Sequence, residues 1–217
     1  MRRTKEESER TRRQILGAAR KVFARQGVTR TSLEEVARAA GVTRGAIYWH
    51  FADKTELFYA MREQVSVPMI DRIDFVLLGP DASDPLAGIE RYMRELLDVM
   101  EQNRAARQTF QIMGFKCEYV DGFERELALQ RDRHAEFIGK LTQAYRRAAR
   151  AGRLRAGLRP EMAALDSCSF LVGMIRMWLL DTNGSLLRRQ ARALIAAHIA
   201  NRRRGAPARK RPAARSL

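Results

Sequence analysis

The chain has 217 residues, 46% of them hydrophobic, which suits one or two compact units with a real core. Its net charge of +16 is far from the balance of an ordinary enzyme and favours a polyanionic partner, nucleic acid or an anionic membrane face. Two cysteines, Cys117 and Cys168, without CxxC spacing exclude a disulfide scaffold and fit a reducing cytosol.

The charge is uneven. Residues 1–54 hold 13 Lys/Arg against 6 Asp/Glu, residues 55–201 hold 21 against 19, and residues 202–217 hold 7 against none. The cations therefore sit at the two ends around a nearly neutral middle. Most are Arg, whose planar fork suits phosphate, although a GC-rich genome produces the same bias. Met1 to Arg13 is charged throughout, unlike a signal peptide. The longest apolar run, Ser167 to Leu180, is too short to span a bilayer and carries Arg176. These features predict a cytoplasmic protein with no membrane partner.

Helical periodicity dominates, with no strand alternation, so the predicted fold class is all-α with about nine helices. The first helix is expected from Glu7 to Gln26, with Ile15, Ala19, Val22 and Phe23 on one face and Gly27 as its stop. Ser32-Leu-Glu-Glu35 is a capping-box pattern that opens a short second helix through Ala40. Gly41 ends it, and Thr43 caps a third helix that runs to Phe51. Asp53-Lys-Thr-Glu56 caps a long fourth helix toward Leu78, followed by a loop over Gly79 to Ser83. Asp84-Pro85 starts a fifth helix through Gln102. A sixth covers Arg104 to Lys116. A seventh runs from Asp121 to Ala151, with Phe123, Leu127, His134, Phe137, Ile138, Leu141 and Tyr145 as its inner stripe. After a basic turn at Gly152 to Gly157, Pro160 opens an eighth helix to Asp181, and Leu186 to Arg203 makes a ninth. The division predicted is residues 1–54 as a DNA-binding domain, 55–203 as a ligand-binding and dimerisation domain, and 204–217 as a disordered basic tail. The tail and the arm residues Arg2, Arg3 and Lys5 read as loosely phosphate-seeking extensions.

A short helix, a Gly turn and another short helix have the spacing of a helix-turn-helix. Arg44 and Tyr48 fall within about 40° of each other on the third helix, with Gly45 beside them, while Ile47 and Phe51 face Val36 and Ala37. One side packs and the other presents Arg, Gly and Tyr. Arg44 can fork onto a guanine edge or a phosphate. Tyr48, Trp49 and His50 can donate to phosphate oxygens, and Gly45 lets a sugar-phosphate chain come close. Thr31, Ser32 and Thr43 stand at helix N-termini, which attract phosphate, and Lys54 adds a cation. An aromatic cluster alone reads as core for a small domain. Combined with the caps, the Gly turn and the local charge, it reads as a DNA surface.

The stretch TSLEEVARAAGVTRGAIYWHFADKTELF, with the helix before it, resembles the DNA-binding domain of the TetR family of bacterial repressors over residues 10–58. FKCEYV at Phe115–Val120 and MWLL at Met177–Leu180 resemble its AcrR-like branch, repressors of multidrug efflux pumps. The resemblance implies a homodimer joined by a four-helix interface from helices eight and nine, with a ligand pocket within helices four to eight. Efflux repressors of this branch often carry His where Phe115 stands.

The middle of the chain shows no catalytic constellation: His50, His134 and His198 lie on separate helices, with no HExxH and no carboxylate cluster, so neither an enzyme nor a metal or cofactor site is expected. His134 reads as a satisfied core histidine ahead of a ligand-reader, and Cys117 as a small buried hydrophobe ahead of a redox switch, with a place in the pocket wall. Arg176, if buried, needs Asp166, Asp181 or a dimer surface as partner. Met93, Leu97, Met100, Phe110, Met113, Phe137, Leu141, Phe170, Met174 and Trp178 fall on helical stripes. Each reads singly as core, but together with the resemblance they suit a pocket for apolar or aromatic molecules. The function expected is a repressor of an efflux operon, released from a palindromic double-stranded operator by a small apolar or aromatic inducer. The alternatives are a constitutive or architectural DNA-binding dimer without an inducer, and a helical enzyme with a DNA-binding accessory.

Overall fold

Local hydrogen bonding sets the helix starts. The Ser32 hydroxyl accepts from the Glu35 N–H (3.2 Å) while the Glu35 carboxylate accepts from the Ser32 N–H (2.8 Å), the reciprocal box the sequence predicts. The Asp84 carboxylate likewise accepts from the Leu86 and Ala87 N–H groups ahead of Pro85. A computed structural model describes residues 5–73, 76–77, 84–120 and 122–204, with residues 66–73 as backbone only. Among them lie nine helices: α1 (Lys5–Gln26), α2 (Leu33–Ala40), α3 (Arg44–His50), α4 (Lys54–Ile73), α5 (Pro85–Gln102), α6 (Arg104–Phe115), α7 (Glu124–Arg150), α8 (Pro160–Leu180) and α9 (Ala191–Ala200). The predicted Gly79–Ser83 loop, the start of helix seven at Asp121, Arg2, Arg3 and the tail from Gly205 lie outside the described residues.

Two apolar clusters organise these helices. The first joins α1, α2 and α3 through Phe23, Val36, Ile47 and Phe51, but also takes in Leu57, Phe58 and Met61 from α4, Ile112 from α6, and Phe123. The second is built by α5, α7, α8 and α9 around Tyr92, Met93, Leu97, Met100, Leu141, Tyr145, Met174 and Trp178. Helix α6 is therefore shared: Ile112 packs in the first cluster while Phe110 and Phe115 lie against the second.

Helix α9 begins five residues later than the periodicity suggests. The Asp181 carboxylate accepts from the N–H groups of Leu186, Leu187 and Arg188, which winds residues 182–190 into turns. Those three bonds hold the Asp181 carboxyl at about 2. Helix α8 matches the expected span to within a residue, but its 21 residues correct the reading of its apolar run as too short for a bilayer: the helix is apolar enough to cross a membrane by length and composition. Ala164, Cys168, Leu171, Met174 and Trp178, at helical spacing, face the second cluster, and this accounts for much of that apolar content.

Candidate nucleic-acid interface and ligand cavity

The Thr43 hydroxyl accepts from the Ala46 N–H at 3.1 Å and starts α3. The seven residues of α3 and Phe51 at its C-terminal cap then divide by face. Ile47 and Phe51 are buried, whereas Tyr48 is 43% and Trp49 70% exposed. An aromatic pair so open gains nothing from its own core, so it is free to cover a partner. The Arg44 guanidinium lies over the Tyr48 ring, 5.6 Å from its centroid. Gly45 is exposed, and nothing lies within 4 Å of where a Cβ would stand, so a backbone can approach there.

Sequence reasoning missed an acid at this surface. Glu34 of α2 stands 3.3 Å from Arg44 Nε, and its carboxylate accepts from the Tyr48 hydroxyl at 3.1 Å. Its carboxyl is held below the usual range, first by the backbone N–H at the start of α2 and then by Tyr48. The contact joins two helices, so no spacing within either one announces it.

The other expected DNA residues divide. Ser32 is exposed at its cap. The Lys54 ammonium donates to the Thr29 carbonyl at 2.7 Å and ties α4 to the loop before α2. His50 is half-buried, edge-on to Trp49 and tilted against Phe51. Thr31 departs from expectation: it is buried and its hydroxyl donates to the Gly27 carbonyl at 2.7 Å, a structural bond closing the turn after α1.

A cavity of about 330 Å³ opens among α4 to α8, at the small end of the range for drug-sized ligands. Of the expected lining, Phe110, Met113 and Phe137 reach it. Met93, Leu97, Met100, Leu141, Met174 and Trp178 are instead buried in the second cluster, where other side chains cover them. Phe170 stacks on His198 with ring centroids 3.9 Å apart. Cys117 packs against the first cluster, only half-buried, and burial pushes its thiol up to about 11. Val65, Tyr92, Leu96, Phe115, Leu171, Val172, Ile175 and Leu179 supply the remaining apolar wall.

The polar lining differs more. His134 is exposed and borders the cavity instead of filling a core. Arg176 is exposed rather than buried, with its guanidinium 4.8 Å from the Phe115 ring centroid and donating to the Gly114 carbonyl at 3.4 Å. Asp166 pairs with Arg202 instead, and Asp181 caps the turn before α9. Arg62 forms a buried 2.6 Å ion pair with Glu126 at the cavity edge. Gln130, Arg133, His134 and Phe137 follow the i, i+3, i+4, i+7 pattern of one helical face. That pattern was present in the sequence, but three of the four are polar and a search for apolar stripes passes over them.

Comparison with known proteins agrees with this arrangement. Residues 15–61 match the family described as bacterial regulatory proteins, tetR family, and residues 84–201 match the MAATS-type transcriptional repressor C-terminal region. The HTH-type transcriptional regulator AcrR of Shigella flexneri is 33% identical over 195 residues, 90% of each chain. The crystal structure of NalD, the secondary repressor of the MexAB-OprM multidrug efflux pump in Pseudomonas aeruginosa, superposes with a TM-score of 0.81 at 31% identity, covering 93% of this chain and 100% of NalD. A complex of SmeT with triclosan superposes with a TM-score of 0.78 at 25% identity, covering 91% and 95%. SmeT is the repressor of the Stenotrophomonas maltophilia multidrug efflux pump SmeDEF. A capped helix-turn-helix followed by a helical repressor region, matched over most of the chain, places this protein in the TetR family of bacterial transcriptional regulators.

Proposed function

We propose that this chain is a cytoplasmic, ligand-released repressor of a multidrug efflux operon that binds double-stranded operator DNA as a homodimer. The observation that carries the reading is the division of α3 and its cap, with Ile47 and Phe51 buried and Arg44, Gly45, Tyr48 and Trp49 left open. Helix α3 enters the major groove; Arg44 meets a base edge or phosphate, and Tyr48 and Trp49 cover the sugar-phosphate chain. Ser32, Thr43 and Lys54 flank it. Residues 1–54 form the DNA-binding domain, and residues 55–203 hold the cavity and the dimer contact.

The dimer reading rests on the family and on one face of α8. Met162, Leu165 and Leu180 share that face and are exposed, as is Leu194 of α9, and a second copy would cover them. A two-fold dimer with one short recognition helix per subunit implies a palindromic operator, with half-site centres about 34–36 Å apart or a multiple of that. Footprinting of DNA upstream of the gene should show paired, symmetric protection. A single asymmetric, monomer-sized footprint would sink this reading. A constitutive DNA-binding dimer remains the competing reading, and the open cavity favours the ligand-released one.

A further inference from the structure

The charge around the cavity is one-sided. Among the described residues three arginines and a histidine line it, Arg62, Arg133, Arg176 and His134, and no Asp or Glu does. Arg62 is neutralised by Glu126 behind the wall. The other two guanidiniums have no such partner: among the described residues Arg176 reaches only the Gly114 carbonyl and the Phe115 ring, and no ion pair engages Arg133. The acids that act on Arg133 from further off, Glu126, Glu63 and Glu136, are engaged with Arg62 and Lys140. Arg133 is half-buried, and burial followed by the Arg62 charge pulls its guanidinium below the usual range. The Gln130 side chain on the same face is neutral, and its amide N–H donates to the Tyr119 hydroxyl at 2.7 Å.

We infer that the cavity of this repressor selects anionic amphiphiles, small aromatic or alicyclic acids whose ring fills the apolar wall and whose carboxylate is held by Arg133 and Arg176. Arg133, taken partly out of water without a counter-ion, is under-solvated, and a carboxylate restores that solvation with charge-assisted, often bidentate hydrogen bonds, while the exposed Arg176 adds a second cation at the cavity wall. An ammonium would enter against two uncompensated positive charges and is rejected. Phe110, Met113 and Phe137 supply the sequence-tolerant apolar face, so ring shape matters less than charge. The inference rests on the proposed reading of the cavity as the inducer site.

Three probes of one ring and different charge test it: 2-naphthoate, 2-naphthamide and 2-naphthylmethylammonium, each titrated calorimetrically into the full chain at pH 7 and scored for release of operator DNA. The naphthoate should bind at least tenfold more tightly than the amide, the ammonium more weakly than either, and rising salt should weaken the naphthoate alone. Arg133→Gln and Arg176→Gln should each erase most of the preference for the acid while leaving amide binding within threefold. Arg150→Gln, which removes an exposed cation on the same helix outside this cavity, should leave the preference intact. Equal affinity for acid and amide, or a preference for the ammonium, overturns the charge assignment and leaves the cavity reading standing. No binding by any of the three overturns the cavity reading and this inference with it.

Discussion

Arg44 stands 3.3 Å from Glu34, so a guanine edge or a phosphate has to displace or share that carboxylate before it can use the guanidinium. The competition gives two substitutions opposite signs. Arg44→Ala should cost about 1–3 kcal/mol of operator affinity and blur discrimination against scrambled DNA. Glu34→Gln keeps the hydrogen bond from Tyr48 but removes the competing charge. It should tighten binding to all sequences and steepen the salt slope by about one unit. Lys54→Ala serves as the reference, weakening all sequences alike, and its bond to the Thr29 carbonyl adds a loss of loop order. Isotherms on both DNAs at several salt concentrations separate the three. Unchanged affinity and discrimination in Arg44→Ala would remove α3 from the groove. The sequence showed Arg44 and Tyr48 on one face because both belong to one helix. Glu34 and the burial of Thr31 were not legible, because each depends on a contact with a different segment.

Helix α9 docks through a polar chain as well as through apolar packing. The Tyr145 hydroxyl meets the Ser167 hydroxyl at 2.6 Å, and that hydroxyl meets His198 Nε2 at 2.9 Å, joining α7, α8 and α9. Burial, and then the neighbouring Arg202, lower His198 to about 4, with Asp166 opposing. An unfolded His titrates near 6.5, so between about pH 4 and 6.5 the unfolded chain binds the extra proton. Stability is therefore complete above pH 6.5 and falls as the pH drops through this window, by at most about 3 kcal/mol. Urea midpoints from pH 7.5 to 4 should follow that fall, and His198→Gln should flatten it. An identical slope in the variant would assign the fall to other groups. At this scale the helix starts were readable wherever a side chain caps its own helix, as at Ser32, Thr43 and Asp84. The start of α9 was not, because its cap-like acid, Asp181, ends the preceding helix. The pocket stripes failed for a related reason. Met93, Leu97 and Met100 have the right period, but only the packing phase of α5 decides that they are fully enclosed while Tyr92 and Leu96 of the same cluster reach the cavity.

A ligand that releases DNA must prefer the DNA-free arrangement of the two clusters, since equal affinity for both shifts nothing. Helix α4 starts beside α3 and brings Arg62 and Val65 to the cavity, but α6 offers a second route. Thr109, Phe110 and Met113 of α6 line the cavity, Ile112 of the same helix packs with the first cluster, and the Lys116 carbonyl just after it accepts from the Val28 N–H at 2.8 Å. Arg20 of α1 completes the link, donating to the Thr109 hydroxyl at 3.1 Å and to Gln64 of α4 at 3.0 Å. A side chain placed between ligand and α1 can pass a small displacement of α6 to the DNA-binding helices. A coupling of about 1–3 kcal/mol would lower operator affinity roughly 5- to 150-fold, and operator would weaken the ligand by the same factor. Thr109→Val keeps the shape and deletes the acceptor for Arg20. Operator affinity without ligand should then stay within about threefold, while the ratio of ligand affinities with and without operator moves toward one. Calorimetry of 2-naphthoate on free and operator-bound protein, in both forms of the chain, gives that ratio directly. A ratio unchanged by Thr109→Val would move the coupling out of this bond and into α4 or the apolar contacts of Ile112.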